Sequence, residues 1–165
     1  MKKTMKTLII YVSTHHGNTK KVAERMAQVL EAKLAGPEEI SPDELNSYDL
    51  IGFGSGIYIG KHHKNLIGMV EKLPDFVGKK AFIFSTCGGD EKNIEGNHKK
   101  LKEKLKEKKF DIIGEFSCKG WDSVGPLKLI GGIHKDRPNE EDFKKAENFA
   151  NELKQKIYEK NNPKI

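Results

Sequence analysis

Residues 7–19 read T-L-I-I-Y-V-S-T-H-H-G-N-T, and this stretch decides the fold. Its first half is a short, continuous apolar run, the pattern of a strand covered on both faces. A glycine-containing turn follows, and from Thr19 onward Val22, Met26, Val29 and Leu30 recur at helical spacing. The unit is strand, loop, helix.

It recurs downstream. Residues 50–55, L-I-G-F-G-S, repeat the strand pattern, and Leu66, Val70 and Leu73 then give a helix that Pro74 closes. Residues 81–86, A-F-I-F-S-T, predict a third strand. Leu101 and Leu105 form the narrow apolar stripe of a lysine-rich helix, and residues 112–118 supply another strand. The last helix starts near Asn139, where Asp142 three residues on suggests a capping box, and its inner face carries Phe143, Ala146, Ala150 and Leu153. Residues 35–47 must provide one more strand for a regular alternation, yet they contain Pro37 and Pro42, tolerated only at an edge or outside a sheet. The alternation implies an α/β fold with a parallel sheet between two helical layers.

At 165 residues the chain is expected to be a single domain over residues 1–165, with residues 161–165 as a loose tail. No apolar run approaches the roughly 18 residues of a membrane helix. Residues 1–6 lack the apolar core of a secretory signal, so a cytoplasmic protein without integral membrane association is expected. Cys87 and Cys118 are too few for a disulfide framework and have no C-x-x-C spacing, which fits a reducing compartment; a pairing between them stays open. The net charge of +6 is concentrated: residues 99–109 carry +5, residues 1–6 carry +3, and the remainder sums to −2. A run of this kind reads as the solvated face of a helix. Without interleaved aromatics or arginines it does not point to nucleic acid.

In such sheets ligands bind beyond the carboxyl ends of the strands, so the informative loops are residues 13–19, 55–63, 86–96 and 119–139. The first, S-T-H-H-G-N-T, gathers unpaired N–H groups at the positive end of a helix. Ser13, Thr14 and Thr19 add hydroxyl donors, and Gly17 lets the backbone turn tightly. There is neither a phosphate-loop lysine nor G-x-G-x-x-G, so a monophosphate is the expected ligand. The pairs His15–His16 and His62–His63 invite a metal site, but no third ligand accompanies them and none is expected; His98 and His134 read as surface residues. Ser55 stands where a phospho-receiver domain needs an aspartate, which sets that reading aside.

The first loop resembles that of the flavodoxin family, a hydroxyl-rich [ST]-x-[ST]-G-x-T segment that holds the FMN phosphate. Thr14, Gly17 and Thr19 fit it, and His16 stands where a hydroxyl is usual. The second loop, G-S-G-I-Y-I-G-K-H-H, is similar to the flavin-packing segment of the subgroup that includes menaquinone-dependent protoporphyrinogen oxidases, with Gly54, Ser55, Ile57, Gly60 and His63 at matching spacing. The resemblance implies a flavodoxin-like, doubly wound, five-stranded parallel sheet of order 2-1-3-4-5 in three layers. It also implies FMN as cofactor, held by Ser13, Thr14, His15, His16, Gly17, Asn18 and Thr19. Ser55, Gly56, Ile57, Tyr58, Ile59 and Gly60 are expected at the ring, Tyr58 or Ile59 covering its face. Thr86, Cys87, Gly88 and Gly89 are expected at the pyrimidine edge. No second stacking aromatic follows the third strand; Trp121 either replaces it or packs beneath the long loop. Cys87 reads as an inert thiol.

The expected function is a low-potential electron carrier between redox proteins, with no catalytic residue of its own and no metal. A flavodoxin-type oxidoreductase passing electrons from a substrate such as protoporphyrinogen to a quinone is the alternative. Because the chain is basic whereas many flavodoxins are acidic, either the redox partner carries an acidic docking surface or the cofactor end is locally acidic despite the lysine helix; a monomer or weak dimer is expected.

Overall fold

Alternating burial builds both faces of the sheet. The computed structural model describes residues 4–123 and 125–163. Thr7–Val12 (β1) sends Leu8 and Ile10 to one face and Ile9 to the other, all fully buried. Asn18–Leu30 (α1) follows, then Lys33–Ala35 (β2), Leu50–Tyr58 (β3) and Lys61–His62 (β4). Lys64–Glu71 (α2), Lys80–Cys87 (β5), Ile94–Glu107 (α3), Asp111–Lys119 (β6) and Glu140–Asn161 (α4) complete the chain. The sheet order is β2-β1-β3-β5-β6, all parallel, with short β4 antiparallel to β3. With β4 set aside this is the expected 2-1-3-4-5 order, an α/β flavodoxin-like sheet between two helical layers.

Two cores result. Leu66 and Val70 of α2 join Leu101 and Leu105 of α3 over Phe53 and Ile83, while Val22 and Met26 of α1 join Ala146, Ala150 and Leu153 of α4 over Phe82 and Phe84. The second core depends on glycines in β3. A Cβ on Gly54 would stand 2.2 Å from the Phe84 ring, and one on Gly52 would stand 2.3 Å from Phe82. Bare backbone in the central strand makes room for the phenylalanines of its neighbour. At the start of α4, Asn139 and Asp142 form the reciprocal capping box read from the sequence.

Three expectations are corrected. The missing strand, β2, is only three residues and precedes Pro37, overlapping the expected window at Ala35 alone. Pro42 instead opens a 3-10 helix, Pro42–Ser47, capped by Ser41 with Glu44. The second loop is mostly strand: β3 runs on to Tyr58 and turns back through Ile59 and Gly60, pairing Ile57 with His62 and Tyr58 with Lys61. Once β3 outruns its parallel neighbours its backbone groups need partners, and the hairpin supplies them. The tail begins later than expected, since α4 continues through Asn161. Of the predicted terminal segments, residues 1–3 and 164–165 lie outside the described residues, as does the side chain of His15. No helix among the described residues is long and apolar enough to cross a membrane.

Gly54→Ala is expected to cost about 1–3 kcal/mol, the usual range for overpacking a core. Chemical denaturation against the unaltered chain measures it; an equal midpoint would contradict the packing described.

Candidate functional site

The strand-end loops meet around one cavity of about 330 Å³, a size typical of small-ligand sites. Ser13 and Thr14 leave β1, and Asn18 and Thr19 open α1. Gly56, Ile57, Tyr58 and Ile59 come from the end of β3 and its hairpin turn, Thr86, Cys87 and Gly88 from the end of β5, and Trp121 and Asp122 from the segment after β6. The start of α1 brings its positive dipole end to the wall.

Hydrogen bonds tie these walls together. The hydroxyls of Thr14 and Tyr58 are in direct contact, joining first loop to hairpin. Thr19 Oγ1 lies 2.9 Å from Thr86 Oγ1, both buried, joining α1 to β5. Asn18 Nδ2 donates to the Trp121 carbonyl at 2.8 Å, bringing in the last segment. Trp121 Nε1 donates to the Gly131 carbonyl at 3.1 Å, and Asp122 exchanges backbone hydrogen bonds with Ile133.

Other expected site residues lie off the wall. His16 stacks on Trp121 with ring centroids 3.4 Å apart, and its Nε2 is 2.6 Å from Ser123 Oγ. It buttresses the indole instead of lining the cavity. Trp121 thus lines the cavity while its indole is held by His16 and by the Gly131 carbonyl of the segment after β6. Gly17, Gly60 and Gly89 are not among the lining residues either. Ser55 is fully buried, where its Oγ accepts from the His63 N–H at 2.9 Å and donates to the Gly56 carbonyl at 2.7 Å, holding the base of the hairpin. Cys87 has its thiol pushed up by burial, which keeps it protonated, and Cys118 is pushed up to about 12 for the same reason. Both are free thiols.

Asp122 was not anticipated. It follows Trp121 directly and crowds Gly88 so closely that a Cβ there would come within 2.4 Å of the aspartate side chain. The only sequence signal was its place after the last strand.

Beneath the cavity lies a second surprise. His98, expected on the surface, is fully buried, with Nε2 2.8 Å from Ser85 Oγ and Nδ1 3.2 Å from Glu115 Oε1. Ser85 Oγ also lies 2.9 Å from Ser117 Oγ, and Lys102 pairs with Glu115 at 2.9 Å. His62, equally buried, has its ring 4.8 Å from that of His98 and its Nε2 3.1 Å from the Phe84 carbonyl. Amphipathic spacing marked α3 as a helix, but not which polar residue faced inward. No group of three or more potential metal ligands occurs among the described residues.

With this geometry in hand, residues 8–119 match the Flavodoxin domain family, and the chain belongs to that family. An uncharacterized protein of Methanocaldococcus jannaschii is 50% identical over 150 residues, covering 90% of this chain and 98% of its own length. Among solved structures, oxidised flavodoxin 2 from Bacillus cereus has a TM-score of 0.69 at 23% identity, over 92% of this chain and 99% of that one. A flavodoxin from the domain Archaea has a TM-score of 0.63 at 19% identity, over 93% and 99% of the two chains. The Fusobacterium nucleatum flavodoxin, solved bound to flavin mononucleotide, has a TM-score of 0.65 at 14% identity, over 92% and 98%. At these identities the structural likeness shows the shared fold.

Burial lowers the pKa of His62 to about 3, with the neighbouring His98 adding to the shift, and burial followed by Lys102 lowers that of His98 to about 4. Both are neutral in the folded chain at pH 5, whereas in the unfolded chain both are charged. The unfolded state thus takes up more protons below about pH 6.5, and stability falls as pH falls. At pH 5 each histidine is expected to cost about 2 kcal/mol, so the melting temperature should drop by roughly 10 °C from pH 7 to pH 5. Thermal unfolding followed by circular dichroism checks this; an unchanged melting temperature would contradict it.

Proposed function

We propose that the chain binds FMN in this cavity and serves as an electron carrier between redox proteins. The observation that carries the reading is the convergence of a hydroxyl-bearing helix start with two aromatic walls in one cavity at the strand ends. The residues fit the group: polar donors at one part of the wall suit a phosphate, and the broad apolar surfaces of Tyr58 and Trp121 suit a flat ring. Family membership supports the same cofactor, since the Fusobacterium nucleatum relative by fold was solved with FMN.

On this reading Ser13, Thr14, Asn18 and Thr19 hold the phosphate, and Thr86 with the Cys87 and Gly88 backbone meets the polar edge of the ring. Tyr58, Ile59 and Trp121 exclude water from its faces. FMN supplies transfer of one or two electrons. The protein supplies binding, orientation and an environment that sets the potential. His16 acts through Trp121, whose plane it fixes. No side chain in the cavity is required as an acid or base.

Quinone reduction at the same cavity is the second reading. The exposed Leu129 and Ile130, beyond the last strand, favour it as an apolar landing surface.

Purified protein titrated with FMN should become yellow, quench flavin fluorescence and saturate at one FMN per chain. Tyr58→Ala should weaken binding about tenfold while Tyr58→Phe changes it little, because the ring face carries the contact. Failure to bind FMN would overturn both readings. Turnover of a porphyrinogen with a menaquinone analogue would replace the carrier by the enzyme.

A further inference from the structure

The hairpin turn that walls the cavity also walls a groove against α3. Ile59 is 99% exposed and holds φ at +50°, a conformation unfavourable for a β-branched residue and a known mark of functional positions. The groove, of about 470 Å³, is lined by Ile59, Lys61, Lys99, Lys100, Glu103 and Lys104 among others. These lysines are not equivalent. Lys104 is taken up by Glu71 and Glu107, and Lys102, further round the helix, by Glu115. Among the described residues, no carboxylate lies within ion-pair distance of Lys61, Lys99 or Lys100. Uncompensated cations therefore border an exposed apolar side chain that belongs to the cavity wall.

We propose that this groove is the docking surface for an acidic redox protein, with Ile59 as the desolvated centre and Lys61, Lys99 and Lys100 as the cationic rim. Apolar contact at the centre and complementary charge at the rim is the usual anatomy of a transient protein interface. Nucleic acid is the poorer fit, because neither arginine nor an aromatic ring lines the groove. The proposal rests on the electron-carrier reading: a partner seated on Ile59 touches the wall of the FMN cavity, which shortens the path for an electron.

The test uses the full-length chain, isotope-labelled and loaded with FMN, titrated at low ionic strength with an acidic [4Fe–4S] ferredoxin as probe. Amide shifts are expected at residues 59–61 and 99–104. Lys99→Glu with Lys100→Glu should weaken binding about tenfold and flatten its salt dependence, whereas Lys144→Glu on α4 should not. Ile59→Asn, compatible with the left-handed turn, should weaken docking about fivefold when measured at saturating FMN. Shifts centred on residues 129–130 or on α4, insensitivity to the charge reversal, or competition by single-stranded DNA at equal affinity would overturn the proposal. FMN binding is read separately by its fluorescence. FMN bound without ferredoxin docking removes the surface alone, and ferredoxin docking on a chain that binds no FMN removes the cofactor reading alone.

Discussion

The buried contact between Thr19 and Thr86 joins the first turn of α1 to the last residues of β5, and the arrangement of the cavity depends on it. A hydroxyl at the end of a buried strand must find a partner or lose the hydrogen bond that water would have given it. Here each threonine satisfies the other, and in doing so fixes how closely helix and strand ends approach. Thr14 with Tyr58 and Asn18 with Trp121 extend the same logic to the hairpin and to the segment after β6. Residues separated by up to 103 positions in the chain are held around one space.

On the opposite face of β5, the alternation of a strand gives Ser85 the complementary task. It binds His98, which binds Glu115, which binds Lys102. The order serine, histidine, carboxylate is that of a hydrolytic triad, but Ser85 and His98 are fully buried and no substrate reaches them. Burial turns the same hydrogen-bonding pattern into a clamp between α3, β5 and β6, and it holds the histidine neutral. The clamp anchors the strand whose next residues form the cavity wall.

The lysine run shows how structure redistributes a bulk property. As a sequence it is a single basic helix that, with the three lysines of residues 1–6, is attached to a body of net charge −2. In the fold its members separate by direction, some neutralised by Glu115, Glu71 and Glu107, others left beside the hairpin turn. Charge that described the whole chain becomes local, next to the cavity.

Periodicity determined much of this protein. Apolar runs and helical stripes reported burial one residue at a time, so four of the five parallel strands and the four helices were legible, as were the loops that meet at the strand ends; the order of the sheet followed only from the resemblance to the flavodoxin family. The short β2 was not, because three edge residues, only one of them buried, carry too little pattern. The hairpin at Ile59 and Gly60 was read as loop because its pairing is set by what lies beside β3, not by its own composition. The inward turn of His98, the stacking of His16 on Trp121 and the presence of Asp122 in the wall belong to tertiary structure alone. A polar side chain has no periodic signature; its place is decided by which partner the completed fold brings within hydrogen-bonding distance.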